Sequence, residues 1–172
     1  MSKQGLIAMS GLPGSGKSTV AEGVARQIQA PIFSVDPAEA AMWTSGFSKA
    51  DTGLAAYKVL QALAAENLKL GLSVIIDAVN PVEAARNMWR QLAEEHDVPL
   101  TFIEVVCSNE QIHRARIESR VRGIPGMSEV SWDRVLARKR EYEPWTDDRL
   151  LLDSSQLNPE ALIEQAIARC LA

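Results

Sequence analysis

The chain has 172 residues and carries 18 Lys and Arg against 22 Asp and Glu, a formal net charge of −4. That length suits one full-sized domain with a real core rather than two, and the acidic balance argues against broad, sequence-independent binding to nucleic acid. Cys107 and Cys170 lie far apart and form no motif with His, so they read as two free thiols of a reducing compartment rather than a disulfide framework or metal site. The N-terminal apolar run is too short for a signal peptide, and no segment approaches a membrane span, so the expected location is the cytoplasm.

Short β-rich apolar runs alternate with helical stretches, the pattern of a parallel sheet with helices on both faces. "LIAM" (Leu6–Met9) is the first strand, followed by a helix from Gly16 to about Gln29. "PIFSV" (Pro31–Val35) is the second, with a helix starting near Pro37 and a long Ala- and Leu-rich helix over roughly Thr52 to Leu70. "SVIID" (Ser73–Asp77) is the most apolar strand and is expected at the centre. The next helix is expected at Pro81, with Asn80 as its cap and Glu83 closing a capping box. "LTFIEVV" (Leu100–Val106) makes the fourth strand, Ile112–Gly123 and Trp132–Tyr142 read as helices, "RLLLD" (Arg149–Asp153) closes the sheet, and a last helix follows Asn158-Pro159. The fold class is a five-stranded, three-layer α/β domain.

"GLPGSGKST" (Gly11–Thr19) satisfies G-x-x-x-x-G-K-[ST] through Gly11, Gly16, Lys17 and Ser18. Glycines let successive backbone N–H groups turn inward on the phosphates, and the helix that starts at once adds its positive end. Lys17 reaches the β/γ-oxygens and the Ser18 hydroxyl is placed for Mg²⁺. Candidate nucleotide contacts are therefore Gly11, Pro13, Gly14, Ser15, Gly16, Lys17, Ser18 and Thr19, with ATP and Mg²⁺ as cofactors. Asp77 ends an apolar strand, where ligands of open α/β sheets bind; it is a candidate Mg²⁺ carboxylate or a group that steers an acceptor hydroxyl.

Absent motifs narrow the class. The chain has no N-K-x-D guanine-reading sequence and no L-S-G-G-Q transporter signature. What remains is a small kinase whose lid closes over ATP and excludes water. Half of the 18 Lys and Arg fall between Arg114 and Arg149, and "RARIESRVRG" is the candidate lid, placed at about residues 110–130. Arg116 and Arg120 are four apart and would share one face of a helix that lacks a clean apolar stripe.

"GLPGSGKST", "SVD" closing the second strand, "VIIDAVN", the R-x-x-x-R lid, "REYEPW" and "LLLDSS" in this order resemble the P-loop kinases grouped with zeta toxins. That group includes chloramphenicol phosphotransferase-like and gluconokinase-like enzymes and the kinase domain of polynucleotide kinases. The resemblance implies one P-loop kinase domain over 1–172 with strand order 2-3-1-4-5. It implies Asp36 as the acidic residue that accepts the proton of the acceptor hydroxyl, Arg116 against adenine, Arg120 on the transferring phosphoryl group, and Asp77 as the carboxylate near Mg²⁺. A competing role for Asp36 is read from "DPAE", a capping box with Pro37 at the first helical position and Glu39 at the third.

The polynucleotide-kinase relatives carry an arginine where this chain has Glu39, which weakens a nucleic-acid acceptor. Met42, Trp43 and Phe47 fall near the expected acceptor pocket, where they read first as core residues and otherwise as the wall of a site for a small, partly apolar alcohol. The expected activity is ATP- and Mg²⁺-dependent phosphorylation of a small-molecule hydroxyl by a monomer or homodimer. The alternatives are a 5′-hydroxyl polynucleotide kinase, a toxin-type sugar-nucleotide kinase, and a nucleotide-binding regulatory module with little turnover.

Overall fold

All five residues of strand β1 (Leu6–Ser10) are buried, because successive side chains enter two different cores. Leu6 and Ala8 join one cluster with Val35, Leu60, Ile76 and Trp89, while Ile7 and Met9 join another with Val20, Val24, Ile103 and Leu162. In this computed structural model the described residues are 4–146 and 148–171. Residues 1–3, which open the N-terminal stretch read against a signal peptide, and both ends of the 1–172 range lie outside them.

The order is β1, α1 (Lys17–Ile28), β2 (Ile32–Ser34), α2 (Val35–Thr44), α3 (Lys49–Lys69), β3 (Val74–Asp77), α4 (Glu83–Glu95) and β4 (Leu100–Val106). Then follow α5 (Glu110–Ser119), α6 (Trp132–Glu141), β5 (Leu150–Asp153) and α7 (Pro159–Leu171). The sheet is parallel throughout, in the order β2-β3-β1-β4-β5. The three-layer P-loop NTPase fold is thus as read from the sequence, with one correction: β1, not β3, is central. Helices α2, α3 and α4 supply one core and α1 and α7 the other. In α3 every fourth residue from Thr52 to Leu68 is buried, the stripe that holds this long helix on the sheet. No helix among the described residues is long and apolar enough to cross a membrane.

Register brings the strand ends together. Met9 and Ser34 both pair with Asp77, Ser10 pairs with Glu104, and Val106 pairs with Asp153.

Three local expectations are overturned. Asn80 is no cap: fully buried at φ 47, it donates from Nδ2 to the Met9 carbonyl (2.7 Å) and accepts from Trp89 Nε1 (2.8 Å). Its side chain is consumed holding β1 to α4, and the Glu83 amide instead donates to the Glu143 carboxylate. Asp36 is no cap either, because α2 starts at Val35 straight from β2 and leaves Asp36 inside the first turn. Finally, α5 ends at Ser119, and Arg120 is extended at φ −74, ψ 131, so Arg116 and Arg120 do not share a helix face. Nor is α5 stripeless, since His113 and Ile117, one turn apart, are both buried.

Candidate functional site

The phosphate loop is held between β4 and α5. A Cβ on Gly11, at φ 133, would stand 2.2 Å from the Val105 carbonyl oxygen, so only glycine lets the loop leave β1 here. Gly14, at φ 79, faces Ile117, whose Cδ1 would lie 2.7 Å from an added Cβ. His113 Nε2 donates to the Pro13 carbonyl at 2.7 Å, and its ring meets Trp132 edge-on. Burial lowers the His113 pKa below the usual imidazole value, so the ring is held neutral with its proton on Nε2.

A cavity of about 530 Å³ opens over the loop. Gly14, Gly16, Lys17, Ser18, Thr19, Arg116 and Arg120 line it, with Asn158 and Pro159 at the start of α7. Arg116 is fixed there by bonds to Ser154 Oγ (2.7 Å) and the Ser154 carbonyl (2.9 Å). Gly11, Pro13 and Ser15 do not line this cavity. Gly11 and Ser15 face a separate space of about 330 Å³ beside β4, and the buried Ser15 hydroxyl has no hydrogen-bond partner.

At the end of β3, Asp77 Oδ2 accepts from Ser18 (2.8 Å) and Ser34 (3.4 Å), while Oδ1 lies 3.5 Å from Lys17 Nζ. Oδ1 is buried and accepts no hydrogen bond. A serine hydroxyl beside a carboxylate with one unsatisfied oxygen is a hard, all-oxygen donor set that fits Mg²⁺. Among the described residues no group of three His, Cys, Asp or Glu could hold a metal, so such a cation would lean on phosphate and water for its remaining ligands.

A second cavity, about 280 Å³, is lined by Lys17, Ser18, Asp36, Asp77, Arg120 and Arg122 among others. All four candidate catalytic residues therefore face one space. Arg120 is half-buried there, and burial and the neighbouring Arg122 charge lower its pKa. Among the described residues its guanidinium makes no hydrogen bond or ion pair. Arg122 does: nearly buried, it bonds the Asp36 carboxylate and also Glu129.

A third cavity, about 340 Å³, shares Asp36 and Val79 with the second and continues between α2, α3 and α4 past Glu39, Leu54, Tyr57 and Met88 to Arg138. Met42, Trp43 and Phe47 do not line it. Met42 packs on the core, Trp43 Nε1 bonds Thr52 Oγ1 at 2.7 Å, and Phe47 points to solvent. A short loop after α2 turns Phe47 outward, while α3 crosses below and supplies Leu54 and Tyr57 in its place.

A family model described as an AAA domain (AAA_33) matches residues 6–145. The chain belongs to this AAA-domain family. It is similar to the "Probable adenylyl-sulfate kinase" of Aeropyrum pernix, 26% identical over 164 residues, 87% of this chain and 82% of that protein. The "Bifunctional polynucleotide phosphatase/kinase" of Schizosaccharomyces pombe is 31% identical over 108 residues, 62% of this chain but only 22% of that longer protein. A gluconokinase from Sinorhizobium meliloti has the same fold, at TM-score 0.73 and 17% identity over 99% of this chain and 93% of its own. So does Kti12 from Chaetomium thermophilum in complex with ADP-AlF3, at TM-score 0.70 and 18% identity over 97% and 99% of the two chains. The family match and these kinase relatives bear out the resemblance to P-loop kinases read from motif order.

Sequence reasoning missed Arg122, His113 and Arg138. Two signals were present. His113 and Ile117 have the spacing of a buried helical stripe. Arg120 and Arg122, two apart, fall on one side of an extended segment, but only once the helix is known to stop at Ser119.

Proposed function

We propose that this protein is a kinase that transfers the γ-phosphoryl group of ATP to a hydroxyl of a small molecule, with Asp36 between donor and acceptor. One observation carries the reading: three cavities are joined in series by shared residues. Lys17, Ser18 and Arg120 belong to both the first and second, and Asp36 and Val79 to both the second and third. Phosphates enter at one end, a hydroxyl at the other, and the charges between them suit their meeting.

The adenine end of ATP lies along Arg116 and the start of α7, with the phosphates on the loop amides and the helix α1 N-terminus. Ser18 and Asp77 would hold Mg²⁺, which would supply charge neutralisation on the phosphate oxygens. Lys17 and the unpaired Arg120 take up charge on the γ-phosphoryl group as it moves. The acceptor oxygen forms the new bond to γ-phosphorus while the bond from phosphorus to the β–γ bridging oxygen breaks. ADP leaves, and the acceptor's proton passes to Asp36. Phosphoryl transfer through a loose transition state asks more of positioning than of basicity, so Asp36 held by Arg122 suffices. Residues 110–130 serve as the lid, within one kinase domain.

A mass-spectrometric screen of metabolites, nucleosides and antibiotics with ATP and Mg²⁺ tests this. A phosphate-sized gain on one acceptor is expected, lost in Asp36→Ala while ATP binding persists. If no acceptor accelerates ADP formation over the basal rate, the reading fails. A second reading, 5′-hydroxyl polynucleotide kinase, is favoured by the Schizosaccharomyces pombe relative. Glu39 in the acceptor cavity opposes it, since an acceptor bearing only negative charge would leave this carboxylate without a partner. End-labelling of an oligonucleotide decides between them.

A further inference from the structure

The third cavity holds two opposite charges that do not meet. Glu39 projects from α2 and Arg138 from α6, and both line the space. The Arg138 charge reaches Glu39, yet no hydrogen bond or ion pair joins them, and among the described residues neither makes one elsewhere. The walls between them are largely apolar, built by Leu54, Val82, Ala85 and Met88. Leaving a half-buried carboxylate without a partner is unfavourable: burial first and the Asp36 charge second raise the Glu39 pKa, and Arg138 offsets only part of this. The other carboxylate in the cavity, Asp36, is already bonded by Arg122, so Glu39 is the uncommitted anion.

Tyr57 supplies a third open group. Its hydroxyl accepts from the Asn80 amide at 3.3 Å, and burial pushes its pKa up to about 12, so it keeps a proton to donate.

Resting on the kinase reading above, we propose that the acceptor is a zwitterionic hydroxyl compound. Its ammonium group pairs with Glu39, its anionic oxygen pairs with Arg138, and its hydroxyl reaches Asp36 at the junction with the phosphoryl cavity. This is the chemistry of a hydroxy amino acid with an apolar body. A neutral alcohol would leave both charges unpaired, and an acceptor of one sign would leave one of them. Charge pairing against largely apolar walls is strong enough to select a substrate.

The test uses the full-length enzyme with ATP and Mg²⁺ and reads acceptor-dependent ADP formation. The probes are 3-phenylserine and homoserine, each as the free amino acid, as the N-acetyl derivative and as the methyl ester. The free amino acids are expected to exceed both derivatives in kcat/KM by at least about tenfold. Glu39→Gln should erase the discrimination against N-acetyl compounds and keep that against esters, and Arg138→Gln should do the reverse. If the derivatives serve as well as the free amino acids, or if neutral alcohols and sugars in the same assay serve better, the zwitterion proposal is overturned and the kinase reading stands. If Glu39→Gln and Arg138→Gln each lower Tm without changing specificity, the two side chains serve one another and the proposal is likewise overturned. If no hydroxyl compound of any charge accelerates ADP formation, the kinase reading falls and takes the proposal with it.

Discussion

Arg122 bonds the carboxylate of Asp36, joining the segment after α5 to the first turn of α2 across 86 residues of sequence. Its guanidinium is nearly buried and also engages Glu129, so the segment is tied to α2 through one cation between two carboxylates. Replacing Arg122 by Gln removes a charge-assisted bond of about 1.5–3 kcal/mol. With Asp36 as the group that orients the acceptor, kcat should fall by roughly 10- to 100-fold. Nucleotide affinity should stay within about threefold, since Arg122 does not line the larger nucleotide cavity. Steady-state kinetics alongside a nucleotide titration check this. Equal losses in both would mean that Arg122 acts on ATP instead.

His113 gives stability a dependence on pH. Its folded-state pKa is lowered from 6.5, mainly by burial, so over the interval below 6.5 the unfolded chain binds more protons than the native one. The sign follows: its contribution is fully present above about pH 6.5 and is lost as pH falls toward the folded value. Tm should decline through that interval, and His113→Gln should flatten the decline. Thermal melts at closely spaced pH values report it.

Gly14 and Ile117 form the contact between the phosphate loop and α5. Gly14→Ala would push a Cβ toward Ile117 in a backbone conformation that L-residues resist, at a cost of about 1–3 kcal/mol. Ile117→Ala leaves a void beneath the loop and should cost about 2–5 kcal/mol. Both should weaken ATP binding, which isothermal titration with a non-hydrolysable analogue would detect. An unchanged affinity in both would separate α5 from the nucleotide site.

Arg86 is fully buried and, among the described residues, has no carboxylate partner. It donates to the carbonyls of Asn80, Pro81, Glu143 and Pro144, and its guanidinium lies 3.9 Å from the Trp145 ring centroid. Arg86→Ala leaves the Asn80, Glu143 and Pro144 carbonyls without that donor, while the Pro81 carbonyl keeps the Glu143 amide, and should lower stability by about 3–5 kcal/mol. Denaturant titration measures it. A loss below about 1 kcal/mol would mean that water replaces the guanidinium.

The sheet was legible because its signals are local. "LTFIEVV" coincides with β4 from Leu100 to Val106, and the P-loop fixed both the end of β1 and the start of α1. Asp77 was legible for the same reason, as the polar residue closing an apolar strand. Asn80 and Asp36 were misread because cap chemistry was inferred from neighbours in sequence, while their actual partners, Met9, Trp89 and Arg122, are distant. Of "AAMWTSGF", Met42 packs on the core while none of Met42, Trp43 and Phe47 lines the cavity beside Asp36, because nothing in that stretch records that α3 will cross beneath it. Arg138 could not be assigned from sequence, since α6 faces the cavity only through the tertiary packing of the segment that Arg86 holds.

The break in helix at Arg120 divides the arginine-rich stretch into two parts with different freedom. Everything before it is fastened to the phosphate loop through His113 and Ile117, so the donor half of the cleft stands assembled before ATP arrives. Binding there draws on a conformation already populated, and little affinity is lost to rearrangement. The part after the break is held to α2 by the Arg122–Asp36 bond and by the close approach of Gly126 to Thr44. On the kinase reading proposed above, loosening Arg122 would open the acceptor side while the nucleotide stays seated, which favours an order in which ATP binds first and the second substrate last.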